Sequence, residues 1–282
     1  MRISVIIPAY NEEKYIKYSI DSLLNQTIRP DEIIIVDDGS SDRTKEICSS
    51  YGDPVRVFSK EHSGAGASRN FGVSKSTGDI IVFFDADMVA PPEYIEKLVS
   101  PIIKGEVIGT DHGDELVANP ENIWAKCWSI EFRVPPGRRV PNPRNGWSNV
   151  FRAIRKDAFI KVGGFDEKKG YCDDNLAEKN VKSKFVEDCL CYHYNPSTLK
   201  EVFQSAMWIG KGIIPTFPKI STPRKIKKII SRLFKHSFMS IPNGIRFSVK
   251  HKEPFFIIFK IIYDLGILSG MIRYILFKET AK

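Results

Sequence analysis

Cysteine is scarce and irregularly placed: the five residues, at 48, 127, 172, 189 and 191, form an odd set with no C-x-x-C pair. That excludes a disulfide framework and a thiolate zinc site as the organising feature, and the thiols read as reduced and intracellular. No uncharged apolar run reaches the roughly twenty residues that a bilayer-spanning helix needs. Low-complexity tracts are missing, and after Met1-Arg2 the chain passes directly into a β-prone run without the leader, apolar stretch and cleavage site of a secretory signal. The three-glycine dinucleotide fingerprint is also missing. Gly64-Ala65-Gly66-Ala67-Ser68-Arg69 has arginine where the third glycine belongs and follows an acidic turn instead of preceding one, which argues against a nicotinamide site. The Gly-rich loop that nucleotidyltransferases use near their first strand is absent as well.

What is present is enough for a substantial core: 282 residues, 42% of them hydrophobic, consistent with one large domain or a domain with an appendage. Three apolar runs read as buried strands, and each ends in polar residues. Ile3-Ser4-Val5-Ile6-Ile7 runs into Pro8-Ala9-Tyr10-Asn11-Glu12; Glu32-Ile33-Ile34-Ile35-Val36 into Asp37-Asp38-Gly39-Ser40; and Ile80-Ile81-Val82-Phe83-Phe84 into Asp85-Ala86-Asp87. Between the first two, Tyr15, Ile16, Ser19, Ile20, Leu23 and Leu24 recur at helical spacing, and Ser41-Asp42 is a suitable N-cap for a helix from Arg43 to Tyr51. Strand-helix-strand alternation predicts right-handed crossovers and a doubly wound, mostly parallel α/β sheet with helices on both faces.

The carboxyl edge of such a sheet is where ligands bind. Asp85 and Asp87 concentrate negative charge there, and a D-x-D pair can hold a hard divalent cation while phosphates supply the remaining oxygens; otherwise such acids cap a helix or pair with a cation. Asp38, beside a tight glycine turn, can accept hydrogen bonds from a ribose or a base, and Tyr10 can stack on that base. Gly64 and Arg69 open a helix, Ala67 to Lys75, whose amino end either faces phosphate or packs its small residues on the sheet. Downstream, Gly163-Gly164-Phe165-Asp166-Glu167 forms a turn, and Asp173-Asp174 enter a helical stretch where one carboxylate can serve as general base or merely favour the helix dipole. His193 closes a β-like run and is a candidate for metal or phosphate, or a structural histidine. Trp147 suits either an acceptor face or a core plug.

Taken in order, the segments Pro8 to Glu12, Val36 to Asp42, Gly64 to Asn70, Asp85 to Asp87 and Gly163 to Glu167 resemble the signature of family 2 glycosyltransferases, over residues 1 to about 210. The resemblance implies a GT-A-like fold and an inverting, nucleotide-sugar-dependent hexosyl transfer assisted by Mn²⁺ or Mg²⁺. It implies that Pro8, Ala9, Tyr10, Glu12 and Asp38 line the base and ribose pocket, with Gly64, Arg69, Asp85 and Ala86 also on the nucleotide, and that Asp85 and Asp87 hold diphosphate and metal. The family's base is the Asp of a Glu-Asp pair three residues before a Leu. Counting back from Leu176 gives Asp173, with Cys172 where the Glu belongs; a one-residue shift makes Asp174 the base. That departure leaves open a non-catalytic nucleotide-sugar-binding protein on the same fold.

Charge divides the chain. Residues 201–282 carry 15 Lys and Arg against 4 Asp and Glu, and residues 1–200 carry 27 against 30, which places the basic excess of +8 in the tail. The expected organisation is a catalytic domain over 1–210, with a nucleotide-binding half at 1–110 and an acceptor half at 111–210, followed by a basic region at 211–282. Residues 219–236 interleave Lys and Arg with Ile, Leu and Phe as a basic amphipathic helix, and Phe255 to Phe277 is apolar but interrupted by Lys260, Asp264 and Arg273. The tail is therefore expected either to lie on an anionic membrane surface, at the cytoplasmic face of the cell membrane and near a glycan or lipid-linked acceptor, or to pack on the catalytic domain. Nucleic acid is not expected as a partner, because few aromatics interleave with the basic cluster.

Overall fold

The computed structural model describes residues 1–141, 144–167, 176, 179–213, 227, 229, 231, 232, 234, 236–277 and 279. In chain order the elements are β1 (Ile3–Ala9), α1 (Ile16–Leu24), β2 (Glu32–Asp37), α2 (Thr44–Ser49), β3 (Val55–Ser59), α3 (Ala65–Lys75), β4 (Ile80–Phe83), β5 (Met88–Val89), α4 (Tyr94–Ile103), β6 (Gly109–Val117), α5 (Ile123–Glu131), β7 (Trp147–Ser148), β8 (Ala153–Arg155), α6 (Lys156–Lys161), β9 (Ser183–His193), α7 (Leu199–Ile213), α8 (Ser240–His251) and α9 (Phe256–Phe277). They group into two compact units. The first comprises Met1–Ala118, Asn142–Glu167 and Cys172–Tyr194; the second comprises Asn119–Pro141, Lys168–Tyr171 and Asn195–Lys282. The sequence boundary at 210 follows charge, whereas this division takes α5 and α7 with the C-terminal helices.

The first unit is built on a mixed nine-stranded sheet in the order β3-β2-β1-β4-β8-β6-β9-β5, with β7 on β9. The first four strands run parallel, as expected of apolar runs joined by helices. β8 then pairs antiparallel with both β4 and β6, and β6 returns to a parallel partnership with β9. Because side chains alternate along a strand, each apolar run supplies both faces. Val5, Ile7, Ile33, Ile35 and Val82 pack with Ile16, Ile20 and Leu23 of α1 and Leu98 of α4, whereas Ile6, Ile34, Val36, Ile81 and Phe83 pack with Val73 of α3 and Phe159 of α6. Helices therefore cover both faces, and the carboxyl ends of β1, β2 and β4 are left at one edge.

The second unit is helical. α9 packs on α7 at backbone distance, because a Cβ on Gly270 would lie 2.1 Å from the Met207 carbonyl and one on Gly266 would lie 2.6 Å from that of Phe203. Phe256, Phe259, Tyr263, Ile267 and Met271 form its core with Val202 and Ala206 of α7 and Trp128 of α5. The four described cysteines, 48, 127, 189 and 191, are buried. Most of the basic segment 219–236 lies outside the described residues.

Glu32, the first residue of β2, ties down the opposite edge of the parallel strands. It is buried and accepts from Ser4 Oγ at 2.7 Å, Thr77 N at 2.6 Å, Thr77 Oγ1 at 2.9 Å and the Arg56 guanidinium. Burial pushes its carboxyl up, but the bonds from Thr77, Ser4 and Arg56 outweigh burial and bring it from 4.5 down to about 2. The folded value is depressed, so the contribution is complete above pH 4.5 and is lost as pH falls through about 2. Urea unfolding should find Glu32→Gln less stable than wild type by about 1–3 kcal/mol at neutral pH, with part of that gap closing in acid. Parallel pH profiles for the two proteins would contradict this.

Candidate functional site

Parallel pairing places Ala9 beside Asp37, so that the residues following β1 and β2 emerge together, and β4 delivers Asp85 to Asp87 at the same edge. Pro8 and Ala9 are the last residues of β1, with Ala9 in the core. Asn11 takes a left-handed φ of 57° and crosses to the neighbouring turn: its N–H donates to Ser40 Oγ at 2.9 Å and its side-chain oxygen accepts from Ser41 N at 2.8 Å. Glu12 N–H donates to Thr44 Oγ1 at 2.7 Å.

The Asp38 carboxylate is buried and engaged by the loop that follows β3. It accepts from Ser63 N at 3.0 Å, Gly64 N at 2.8 Å and Lys60 Nζ, and His62 Nδ1 lies 2.8 Å from its second oxygen. Gly64, at φ 99°, makes the turn into α3 in a conformation that L side chains rarely adopt. Tyr10 is exposed and stacks on His62, with ring centroids 4.1 Å apart. Asp38 thus shapes the loop whose histidine supports Tyr10, a role that the strand-and-turn reading of its sequence did not reveal.

Asp85 sits between two guanidinium groups. Arg69 of α3 donates through Nη2 to Oδ1 at 2.7 Å, and Arg152, just before β8, donates through Nη1 to Oδ2 at 2.7 Å. Burial would raise the carboxyl, but Arg152 first, then Arg69 and His193, outweigh it and hold the group well below the usual carboxylate range. Two guanidinium groups are thereby held at the sheet edge against the Asp85 carboxylate. Asp85, expected as a metal ligand beside Asp87, instead has both oxygens engaged by arginines. Arg152 was not among the expected site residues; its only signal is a charge inside the β-like run Val150 to Ile154.

Ala86 turns into the core, and Asp87 faces His193. The β5–β9 pairing sets Met88 opposite His193, which brings Asp87 Oδ2 to 3.0 Å from His193 Nε2, while Nδ1 lies 2.7 Å from Glu115 Oε1. A buried chain continues behind it: Glu115 lies 3.6 Å from His112 Nε2, and His112 Nδ1 is 3.1 Å from Tyr94 Oη. Glu115 and His112 were not expected, because Asp111, His112, Asp114 and Glu115 make β6 too polar to read as a strand. The Asp87–His193 separation of 3.0 Å equals the edge of an octahedron with metal–ligand distances of about 2.1 Å. His193 thus stands between two carboxylates; in the neutral tautomer with Nδ1–H directed to Glu115, Nε2 would be the nitrogen able to ligate an ion on the Asp87 side. Among the described residues no cluster of three or more His, Cys, Asp or Glu could hold a metal. The residues present fit an ion held by two protein groups and completed by phosphate and water.

Two further expectations concern the acid pair and Trp147. Asp173 and Asp174 are outside the described residues. The turn before them docks on α3: Asn70 Nδ2 donates to Phe165 O at 2.9 Å, Asn70 Oδ1 accepts from Phe165 N at 3.0 Å, and Phe165 enters the core. Trp147 is exposed and pairs with Lys184, at the opposite end of β9 from His193, about 30 Å away along an extended strand. The two acids of the D-x-D segment should consequently separate in an unfolding experiment. Asp85→Ala leaves two guanidinium groups facing each other and should cost about 3 kcal/mol, whereas Asp87→Ala, at a partly exposed site, should cost less than about 1 kcal/mol. Equal costs in urea titrations would contradict the clamp.

Against this geometry, the family model described as Glycosyl transferase family 2 matches residues 4–163. An uncharacterized glycosyltransferase of Rickettsia typhi is 33% identical over 186 residues, covering 61% of this chain and 56% of that protein. The glucosyl-dolichyl phosphate glucuronosyltransferase of Haloferax volcanii is 31% identical over 206 residues, 67% of this chain and 63% of that one. The chain thus spans less than two thirds of the length of these curated relatives. Among solved structures, S. aureus TarS 1-349 in complex with UDP-GlcNAc aligns with a TM-score of 0.52 at 18% identity, covering 97% of this chain and 92% of that one, a likeness of fold.

Proposed function

The chain belongs to glycosyl transferase family 2, and from that premise we propose that it moves a sugar from a nucleoside diphosphate donor to an acceptor hydroxyl with inversion, using Mn²⁺ or Mg²⁺. One observation carries the reading: a carboxylate clamped by two arginines and a carboxylate–imidazole pair occupy one sheet edge, so fixed positive charge and two metal-competent groups adjoin. Tyr10, Pro8, Ala9 and Glu12 bind the base and ribose from the end of β1, with Asp38 holding the loop beneath them. Arg69 and Arg152 face the diphosphate. Asp87 and His193 hold the cation, and Glu115 orients the imidazole. When bound, the ion neutralises charge on the departing diphosphate.

Asp173 or Asp174 takes the proton of the acceptor hydroxyl as its oxygen bonds to the anomeric carbon and the bond to the diphosphate oxygen breaks; a single displacement inverts that centre. The arginine clamp is fixed before reaction by packing, so its charge needs no reorganisation as the leaving group develops. The Haloferax relative's name supports a lipid-linked glycan as acceptor, and the ligand held by the TarS fold neighbour supports placing UDP-sugars first among donors. Trp147, at the far end of β9 from His193, is proposed to meet an extended acceptor and not the reacting sugar. Cys172, standing where the family has Glu, favours a second reading in which the fold binds a nucleotide sugar without turning it over.

A panel of nucleotide sugars with Mn²⁺ tests both readings. A donor at a hundredfold its Kd should stabilise the protein by about 2.7 kcal/mol in thermal unfolding. Transfer or slow hydrolysis of that donor should cease with chelator and fall about a hundredfold or more in Asp173→Asn or Asp174→Asn, with donor binding intact. Binding without turnover would support the second reading, and turnover equal to wild type in both variants would refute the assigned base.

A further inference from the structure

α8 is polarised the wrong way round for a soluble protein. Its buried residues are Ser240, Gly244 and Ser248, one small residue per turn, whereas Ile241, Ile245 and Val249 are exposed, Val249 to 75%. Phe238, two residues before the helix, extends the stripe at 68% exposure. The small residues let α8 approach α9 closely: a Cβ on Gly244 would lie 3.3 Å from Ile257 Cα, and Ser240 Oγ donates to the Lys260 carbonyl at 3.3 Å. An amphipathic helix in water turns its large apolar residues inward. Here the packing requirement is met by glycine, serine and the half-buried Phe247, and Ile241, Ile245 and Val249 are left for something else to cover.

α9 continues the same surface. Two of the three charges that interrupt its apolar sequence point inward, where Lys260 Nζ donates to Glu131 at 2.8 Å and to Asp264 at 2.9 Å, and His236 Nδ1 lies 2.6 Å from Asp264; Arg273 is exposed. That buried cluster fixes the rotation of the helix and leaves Ile258, Leu265 and Ile272 exposed, with Ile261 and Leu268 half-buried between them. A groove of about 310 Å³, lined by Ile241, Ile261, Leu265 and Leu268 together with His236, Ser237 and Ser240, joins the two stripes into one apolar patch.

Charge selects what covers it. Arg246 and Lys250 are exposed on α8 beside the stripe, and residues 201–282 carry a net +11, from 15 basic against 4 acidic residues. A second copy meeting this face across a two-fold axis would set like charge against like. No helix among the described residues is long and apolar enough to cross a membrane. We propose that α8 and the outer face of α9 form an interfacial anchor that seats this chain on an anionic lipid bilayer, with Phe238, Ile241, Ile245 and Val249 entering the acyl boundary and Arg246 and Lys250 meeting the headgroups. Apolar burial and basic charge act together here, as stable interfacial attachment requires. The proposal does not depend on the transfer reaction.

Flotation of the full chain with vesicles tests it, using neutral phosphatidylcholine alone and the same lipid with 30% phosphatidylglycerol. The chain should float with the anionic vesicles and be released by high salt. Arg246→Gln with Lys250→Gln should weaken partitioning roughly thirtyfold, and Ile245→Asp with Val249→Asp should abolish it. Both pairs lie on an exposed face, so thermal unfolding should be unchanged, which separates lost binding from lost folding. Equal partitioning of wild type and both variants would overturn the proposal. So would a dimer, seen by light scattering, that the aspartate pair dissociates. The vesicles contain neither donor nor acceptor glycan, so either failure leaves the reading of the first unit untouched.

Discussion

A single carboxylate between two guanidinium groups joins three parts of the first unit. Asp85 ends β4, Arg69 rises from α3, and Arg152 precedes β8 on a strand that runs the other way. Each arginine is nearly buried, which is costly unless an anion is near, and Asp85 supplies that anion to both. The placement of α3 depends in turn on Gly64 and on the buried Asp38 that receives its N–H. Acids that follow neighbouring strands thus serve different ends: Asp38 builds a loop, and Asp85 holds two arginines at the sheet edge.

That division explains how a D-x-D segment can be both structural and open to a ligand. Asp85 is engaged from inside the fold, and Asp87, two residues on, is the partly exposed one, backed by His193 and Glu115. The antiparallel β5–β9 pairing, only two residues long, carries this second cluster, and the parallel β6–β9 pairing brings Glu115 alongside from β6. Pre-organised charge of this kind is effective because its cost is met in folding and not during reaction.

The sequence disclosed those features that arise from local pattern. The runs at 3–7, 32–36 and 80–84 are apolar enough to be strands in any context, and they predicted β1, β2 and β4 with their polar ends at one edge. β6 was illegible because several of its polar residues meet partners on other elements: Glu115 meets His193, Asp111 Oδ2 meets Ser148, and Thr110 meets the Leu98 carbonyl. Arg152 was illegible for the same reason, since nothing near it in sequence announces Asp85. His193 was visible as a candidate, but its setting between two carboxylates was not. In the tail, composition announced a basic, apolar region, yet the inverted polarity of α8 appears only once burial is known, because Ser240, Gly244 and Ser248 do not look like a packing face.

The central claim is that Asp87 and His193 together receive a divalent ion carrying a nucleoside diphosphate, while Asp85 stays with its arginines. Crystals of the chain grown with UDP and Mn²⁺, measured at the manganese absorption edge, test it directly. The account predicts an anomalous peak at about 2.1 Å from Asp87 Oδ2 and His193 Nε2, with the Asp85–Arg69 and Asp85–Arg152 contacts intact. Manganese bound to Asp85 with those contacts broken, or nucleotide bound at this edge with no metal on Asp87, would contradict it.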